Sequence, residues 1–371
     1  MNGLYSVGVF LILITILVFV HEMGHYLVAR RAGVRVETFS IGFGREIVGW
    51  TDKTGTRWKI SWLPLGGYVK FFGDTGPSSA GPGAEIAPED RQFSFHHKPL
   101  ASRAAIVVAG PVTNFLFAIL VFAGMYATFG QPYTSPVIAE VQPDTVAAAA
   151  GFRGGDRVVE IDGFSVQRFE DLMQIVLSSP GREMEFVLLR DGAQVVLNAT
   201  PGTRVLIDRS GKERQVGYLG VRASGFEQIR RNPIEAVWYA GKQTWFVSAQ
   251  TLVTVGRMIS GTAPADDLRG PVGIAQLSGE VAQFGLEPVL ELIALLSISL
   301  GLINLFPVPL LDGGHLLFYA FEAVRGRPLG PRAQEYGFRL GLALVLMLMI
   351  FATWRDFVRP DGMIDIMREL F

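Results

Sequence analysis

The sequence predicts a membrane protein: an α-helical bundle of four transmembrane helices, a membrane-associated β-hairpin or small sheet, and one extracytoplasmic α+β domain. Three observations carry this. Four stretches each approach the roughly 20 apolar residues that cross a bilayer. The segment after the first of them holds two glycine-bearing apolar strands about a turn. The long interval between the second and third changes to alternating, strand-like patterning. Composition agrees, with 49% hydrophobic and 18% charged residues and a mean hydropathy of +0.33. A net charge of -1 offers no argument for nucleic acid as a partner. There is no cysteine, so disulfides and thiolate metal sites are excluded.

Residues 1–31 hold the first span, Leu4 to Leu27, without the basic start or A-x-A exit of a signal peptide. Residues 32–72 read as a membrane-associated hairpin turning at Asp52 to Gly55, and 73–98 as a small-residue linker. The second span, Ala104 to Phe129 within 99–130, carries an embedded "GPVTN". Residues 131–224 form the outer domain, in which "EFVLLRDGAQVVLNAT" turns at Asp191-Gly192. In 225–287 the stretch 233–260 is interrupted by Glu235, Lys242, Gln250 and Arg257, which suits helices lying in the interface. The third span, Val289 to Leu311 within 288–325, ends in "NLFPVPLLDGG", and 326–371 holds the fourth, Tyr336 to Trp354, and a tail.

Lys and Arg concentrate between spans one and two and between spans three and four. Short basic loops stay in the cytoplasm. Both termini and the 130–288 region are therefore expected outside.

The stretch "HEMGH" lies inside the first apolar run. On a helix His21 and His25 share one face, so both imidazoles can bind one metal. Glu22 beside them can take a proton from an attacking water. Ionisable residues within a span are costly, and two histidines leave a hydrolytic zinc site one ligand short. Asp312 is the best candidate, a carboxylate near the inner end of the third span, at the depth of "HEMGH"; His315 is the rival. A channel or transporter would show repeats or several broken spans, which are absent from the sequence. A membrane-anchored scaffold with a structural metal site leaves Glu22 without a role.

"AAAAGFRGGDRVVEIDG" resembles the PDZ domains of bacterial proteases, and "GYLGV" at 217–221 resembles the loop with which such domains hold a chain end. Tyr218, Leu219, Gly220 and Val221 are thus candidates for binding a peptide or chain end. "HEMGH", "GPVTN", "NLFPVPLLDGG", the hairpin's "GFG" and "RGPVGIAQ" together resemble the site-2 protease family of intramembrane zinc metalloproteases, in its bacterial regulator-of-sigma-E branch. The resemblance covers nearly the whole chain. It implies one catalytic zinc held by His21, His25 and Asp312, with Glu22 as base and Asn304 orienting substrate. Gly42, Phe43 and Gly44 are its expected substrate contacts in the hairpin. It also implies transmembrane substrates of the anti-sigma-factor kind, already shortened by another protease, in the bacterial inner membrane with the active site near the cytoplasmic side. The chain departs from some relatives in having one PDZ pattern rather than two.

Overall fold

The computed structural model describes residues 3–74, 86–207, 213–262 and 269–358. Part of the expected linker, 75–85, and the tail from 359 lie outside the described residues. In chain order the elements begin with α1 (Gly3–Arg31), β1 (Val36–Thr51), β2 (Arg57–Phe71) and α2 (Leu100–Thr128). There follow β3 (Gln131–Thr134), β4 (Ile138–Val141), α3 (Val146–Ala150), β5 (Arg157–Ile161), β6 (Phe164–Ser165) and α4 (Phe169–Leu177). Next come β7 (Met184–Arg190), β8 (Ala193–Ala199), β9 (Gly202–Ile207), β10 (Glu213–Tyr218), β11 (Val221–Ala223) and β12 (Phe226–Ile229). The chain ends in α5 (Pro233–Ile259), α6 (Pro271–Ala282), α7 (Leu286–Leu305), α8 (Asp312–Arg325) and α9 (Pro331–Val358). Two units result: residues 1–124, 235–256 and 264–371, and residues 125–234 with 257–263.

In the first unit α1, α2, α7 and α9 are long and apolar enough to cross a bilayer by length and composition, and α5 is not among them. Helix α1 buries Leu13, Leu17, His21 and Gly24, which recur at three- and four-residue steps and so form one stripe. Leu13 and Leu17 pack on Leu292 and Ile293 of α7. In lipid such packing rests on close contact rather than on water exclusion, and small residues allow it. Gly24 lies directly against the Ala109 carbonyl and Thr113 of α2. Arg30 and Arg31 occupy the helix end where the dipole favours cations, and Gly33 at φ 71° turns the chain out of the helix.

Strands β1 and β2 pair more extensively than a plain hairpin. Phe39 is paired with Trp58 on one side and Val69 on the other, and Ile41 with Ile60 and Gly67. Trp50 pairs with Trp58 from the opposite edge, so the strand order is 46–51, 57–61, 36–41, 67–71. Gly42 makes the bend within β1 possible: its φ is 86° and a Cβ would lie 2.7 Å from the Leu63 carbonyl oxygen. The Asp52 carboxylate closes the outer turn, accepting from Thr54 N at 2.8 Å, Thr56 N at 3.0 Å and Trp58 Nε1 at 2.9 Å. The inner face rests on a cluster that includes Phe39, Phe71, Phe95, Ile106 and Val107.

The third span read from the sequence is broken. Helix α7 ends at Leu305, and the segment with Pro307 and Pro309 is not helical before α8 starts at Asp312. Proline supplies no N–H and disfavours helix in the residue before it, which accounts for the break. At the far end of the unit, buried Asp356 of α9 accepts from Gly270 N at 2.9 Å and Gly273 N at 2.8 Å. It caps α6 in place of a local side chain and explains the two glycines of "RGPVG".

The second unit is built around a four-stranded sheet ordered β6-β5-β7-β8, with the pairs β9–β10, β4–β11 and β3–β12. Its core includes Ile138, Phe152, Val158, Leu172, Phe186 and Leu188, all nearly or wholly buried. Strands β7 and β8 join at Asp191 (φ 49°) and Gly192 (φ 82°), both left-handed as a two-residue hairpin requires. Asp156 is fully buried and answered: Arg190 donates at 2.7 and 2.8 Å, and Arg153 N at 2.8 Å.

Candidate metal centre

The centre is assembled from two helices of α1-to-α8 sequence distance and supported by a third. His21 and His25 stand one turn apart on α1, with Nε2 atoms 3.2 Å apart. Asp312, the first residue of α8, places Oδ2 3.1 Å from His21 Nε2 and 3.5 Å from His25 Nε2. Tetrahedral zinc with bonds of about 2.0–2.1 Å needs donors about 3.3–3.4 Å apart. The three edges of this triangle straddle that value. Asp312 Oδ2 is buried, and no N–H or O–H group is satisfied by it as a hydrogen-bond acceptor. An unanswered carboxylate oxygen facing two ring nitrogens is costly without a cation, so the donor set fits the metal. Among the described residues this is the single group of three such donors.

The arrangement depends on what α2 presents. His25 Nδ1 lies 2.8 Å from the Ile106 carbonyl, to which it donates, leaving Nε2 as a lone pair. Gly110 makes room for both rings: a Cβ there would be 2.6 Å from His25 Cε1 and 2.8 Å from His21 Cε1. Asn114, fully buried one turn later, has Nδ2 3.1 Å from His21 Nδ1. Helix α8 is braced on α2 by Glu322, which accepts from Arg103 at 2.6 and 3.2 Å.

A cavity of about 430 Å³ opens on the three donors, lined also by Glu22, Phe43, Tyr68, Asn304 and His315. Glu22 faces the cavity together with Val69, on the sheet strand that borders it. His315 lines this cavity, with its ring tilted against Phe338 at 5.4 Å, but stands outside the donor triangle. Of the "GFG" residues only Phe43 lines the cavity; Gly42 and Gly44, both at positive φ, shape the strand that carries it. Leu310, at φ 99°, is a non-glycine residue in the left-handed region immediately before the ligand helix. Gly313 and Gly314 pack against the backbone of 305–309, so this loop folds tightly under Asp312.

Tyr218, Leu219, Gly220 and Val221 belong to the second unit, where they line a groove of about 200 Å³ with Met173, Val176 and Arg204. Gly217 lies against the Val176 carbonyl of α4, a contact closed to any side chain.

Sequence reasoning missed Gly110, Asn114 and the Ile106 carbonyl as supports of the histidines. It read "GPVTN" only as a motif embedded in the second span. The available signal was an asparagine in an apolar run, a residue that seldom enters lipid without a task, four positions after a glycine on the same helical face.

The profile of Peptidase family M50 matches residues 9–348. A relative from Rhizobium meliloti that carries a zinc metalloprotease name is 45% identical over 362 residues, covering 96% of this chain and 97% of that protein. Metalloprotease MmpA of Caulobacter vibrioides is 39% identical, with 95% of each chain covered. Protease RseP of Yersinia pestis is 33% identical, covering 97% of this chain and 100% of that one. Among solved structures, the PDZ domain of an SdrC-like protein from Listeria innocua covers 25% of this chain and 98% of its own, at 18% identity and a TM-score of 0.20. With a family match over most of its length and full-length relatives named as zinc metalloproteases, the chain belongs to peptidase family M50, the site-2 proteases, and is a zinc metalloprotease.

Proposed function

We propose that the protein hydrolyses peptide bonds within or near the transmembrane segment of single-span membrane proteins, of the anti-sigma-factor kind, in regulated intramembrane proteolysis. One observation carries the reading: a zinc-sized triangle of His21, His25 and Asp312, whose two histidines share with Glu22 a helix apolar enough to lie in a bilayer. The similarity to Protease RseP supports it.

His21, His25 and Asp312 would hold the zinc, which when bound supplies Lewis acidity to an attacking water and to the scissile carbonyl. Glu22 takes the proton from that water and returns it to the leaving amine. Its carboxylate faces the cavity beside the donors. Asn304 donates to the substrate carbonyl oxygen as negative charge develops there. A substrate helix must unwind to be cut, and its bared backbone groups need partners away from water. The Gly67–Phe71 strand borders the cavity, pairs on one side with β1, and receives the unwound segment along its other edge. Phe43 packs against that segment, and Gly42 and Gly44 hold the strand in shape for it.

The second unit is read as a PDZ domain on the outer face of the inner membrane, with both chain termini on that side and the metal centre near the cytoplasm. Its groove at Tyr218 to Val221 takes a peptide or new chain end and admits substrates already trimmed by another protease. Helix α5 lies along the bilayer surface, with Trp238, Trp245 and Phe246 exposed for contact with lipid.

The test is zinc content together with cleavage of a single-span test substrate by the purified, detergent-solubilised full chain. Wild type carries about one zinc and cuts. Glu22→Gln keeps the metal and loses activity by at least about 100-fold, the usual worth of a general base. Asp312→Ala loses both. Activity retained in Glu22→Gln, or zinc retained in Asp312→Ala, overturns the assignment.

A further inference from the structure

Every metal-binding imidazole needs its second nitrogen answered, and the two histidines are answered differently. His25 Nδ1 faces the backbone carbonyl of Ile106, which can only accept. That ring is confined to one tautomer, with its proton on Nδ1 and its lone pair on Nε2. His21 Nδ1 faces the side-chain amide of Asn114, which can accept or donate by a half-turn. In the structure the NH₂ end faces the ring at 3.1 Å, and the ring's Nε2 then carries the proton, 3.2 Å from the lone pair on His25 Nε2. Asn114 Oδ1 is buried and receives no donor, so nothing competes for it. The backbone that carries the amide is held in place. Asn114 is fully buried, and its backbone carbonyl accepts from Ser297 Oγ of α7 at 2.8 Å.

We propose that Asn114 is the positioning residue for His21: its amide turns to accept the Nδ1 proton when metal arrives, and so frees His21 Nε2 to bind. This rests on the reading of His21 as a ligand. In the metal-free arrangement NH₂ donates to Nδ1 and Nε2–H donates to His25 Nε2. In the metal-binding one the proton sits on Nδ1 and is taken by Oδ1, so both Nε2 and the aspartate face the ion. No proton is gained or lost by the ring itself; it changes tautomer. His25 is preset for metal, and His21 is the ligand that switches. "GPVTN" therefore contributes two things to the centre: space for the rings at Gly110 and the tautomer of His21 at Asn114.

The test is zinc affinity by chelator competition on the full chain in detergent, for wild type, Asn114→Leu, Asn114→Asp and His21→Ala. Circular dichroism and the thermal midpoint of each metal-free protein check that it is folded. Outer partners of ligating histidines are typically worth about 10–100-fold in metal affinity, and Asn114→Leu is expected to lose that much. Asn114→Asp supplies a permanent acceptor and is expected to bind zinc at least as tightly as wild type. A merely structural asparagine would not be rescued in this way, because a buried carboxylate is a poorer filler than an amide. If Asn114→Asp loses zinc as Asn114→Leu does, or Asn114→Leu keeps wild-type affinity while His21→Ala loses it, the role assigned to Asn114 is overturned. If His21→Ala itself keeps wild-type affinity, the ligand reading fails first and this one with it. The aspartate variant decides the matter even where the leucine variant does not fold.

Discussion

Asp156 and Asp312 are both shielded aspartates, and the contrast between them separates a group that holds a fold together from one that waits for a ligand. Asp156 is wholly buried in the second unit, where Arg190 and the Arg153 N–H donate to both of its oxygens. Asp312 Oδ2 is equally out of reach of solvent, yet receives no such donor and faces two imidazole nitrogens. Buried polar atoms are nearly always answered, so one that is not marks a place where something else is meant to bind. Asn114 Oδ1, the same kind of orphan, sits on the other side of His21.

The strongest way to break this comparison is to make the same isosteric change at both positions. Asp312→Asn is expected to abolish zinc binding and cleavage, because the amide is a weak metal donor. The thermal midpoint of the metal-free protein should not fall, since no hydrogen bond in the structure is lost. Asp156→Asn is expected to leave zinc content at wild type and lower the midpoint of its own unit, because an amide NH₂ would face the Arg190 guanidinium. A fall in metal-free stability for Asp312→Asn, or none for Asp156→Asn, would show that the orphan atom is not a sign of function here.

Next in size is a change in the core that has no counterpart at the metal centre. Phe186 is fully buried in the second unit and packs edge-on against Phe152 at 5.3 Å. Phe186→Ala is expected to cost about 3–5 kcal/mol, read from chemical denaturation. Zinc content should stay unchanged, because all three donors lie in the first unit.

The pH dependence sharpens the contrast further. Burial pushes the Asp156 carboxyl up, but hydrogen bonds from Arg190 and Arg153 N–H and their positive charge outweigh it, and the group is held below the ordinary carboxylate range. A folded pKa below the unfolded value of about 3.9 means the stabilisation is complete above that pH and is lost as pH falls through the folded pKa. The second unit's midpoint should therefore decline progressively below about pH 4, and Asp156→Asn should flatten that part of the profile. An unchanged acid limb in the variant would remove Asp156 from the account.

How much of this was legible in the sequence differs between the regions for a physical reason. "HEMGH" was readable because one helical turn brings its own two histidines together, and Asp191-Gly192 because a two-residue turn is written in its own residues. The support given by Asn114 was not, since it comes from a helix 93 positions away in the sequence. The segment 36–71 read as one hairpin because alternation reports that strands exist but not that β1 pairs on both sides. Likewise the apolar run through Leu311 read as one span, although Pro307 and Pro309 end α7 at Leu305. Hydropathy registers the apolar prolines and misses the absent N–H groups. Contacts made within a turn or two are spelled out locally; contacts between distant helices are left to packing.

The smallest effect belongs to the turn that was read most directly. Asp191 adopts φ 49°, a region in which a short polar side chain is tolerated and an alanine is not. Asp191→Asn is expected to be neutral, and Asp191→Ala to cost about 1 kcal/mol in urea unfolding of the second unit. Asp191→Gly distinguishes backbone strain from loss of the carboxylate. Glycine takes the left-handed conformation freely but lacks the charge beside Arg190, whose guanidinium feels Asp191 as a favourable neighbour. If strain dominates, glycine restores what alanine loses; if the charge dominates, glycine and alanine fall together while asparagine falls with them. Since asparagine keeps the backbone preference and removes the charge, it alone settles which of the two holds the hairpin in its turn.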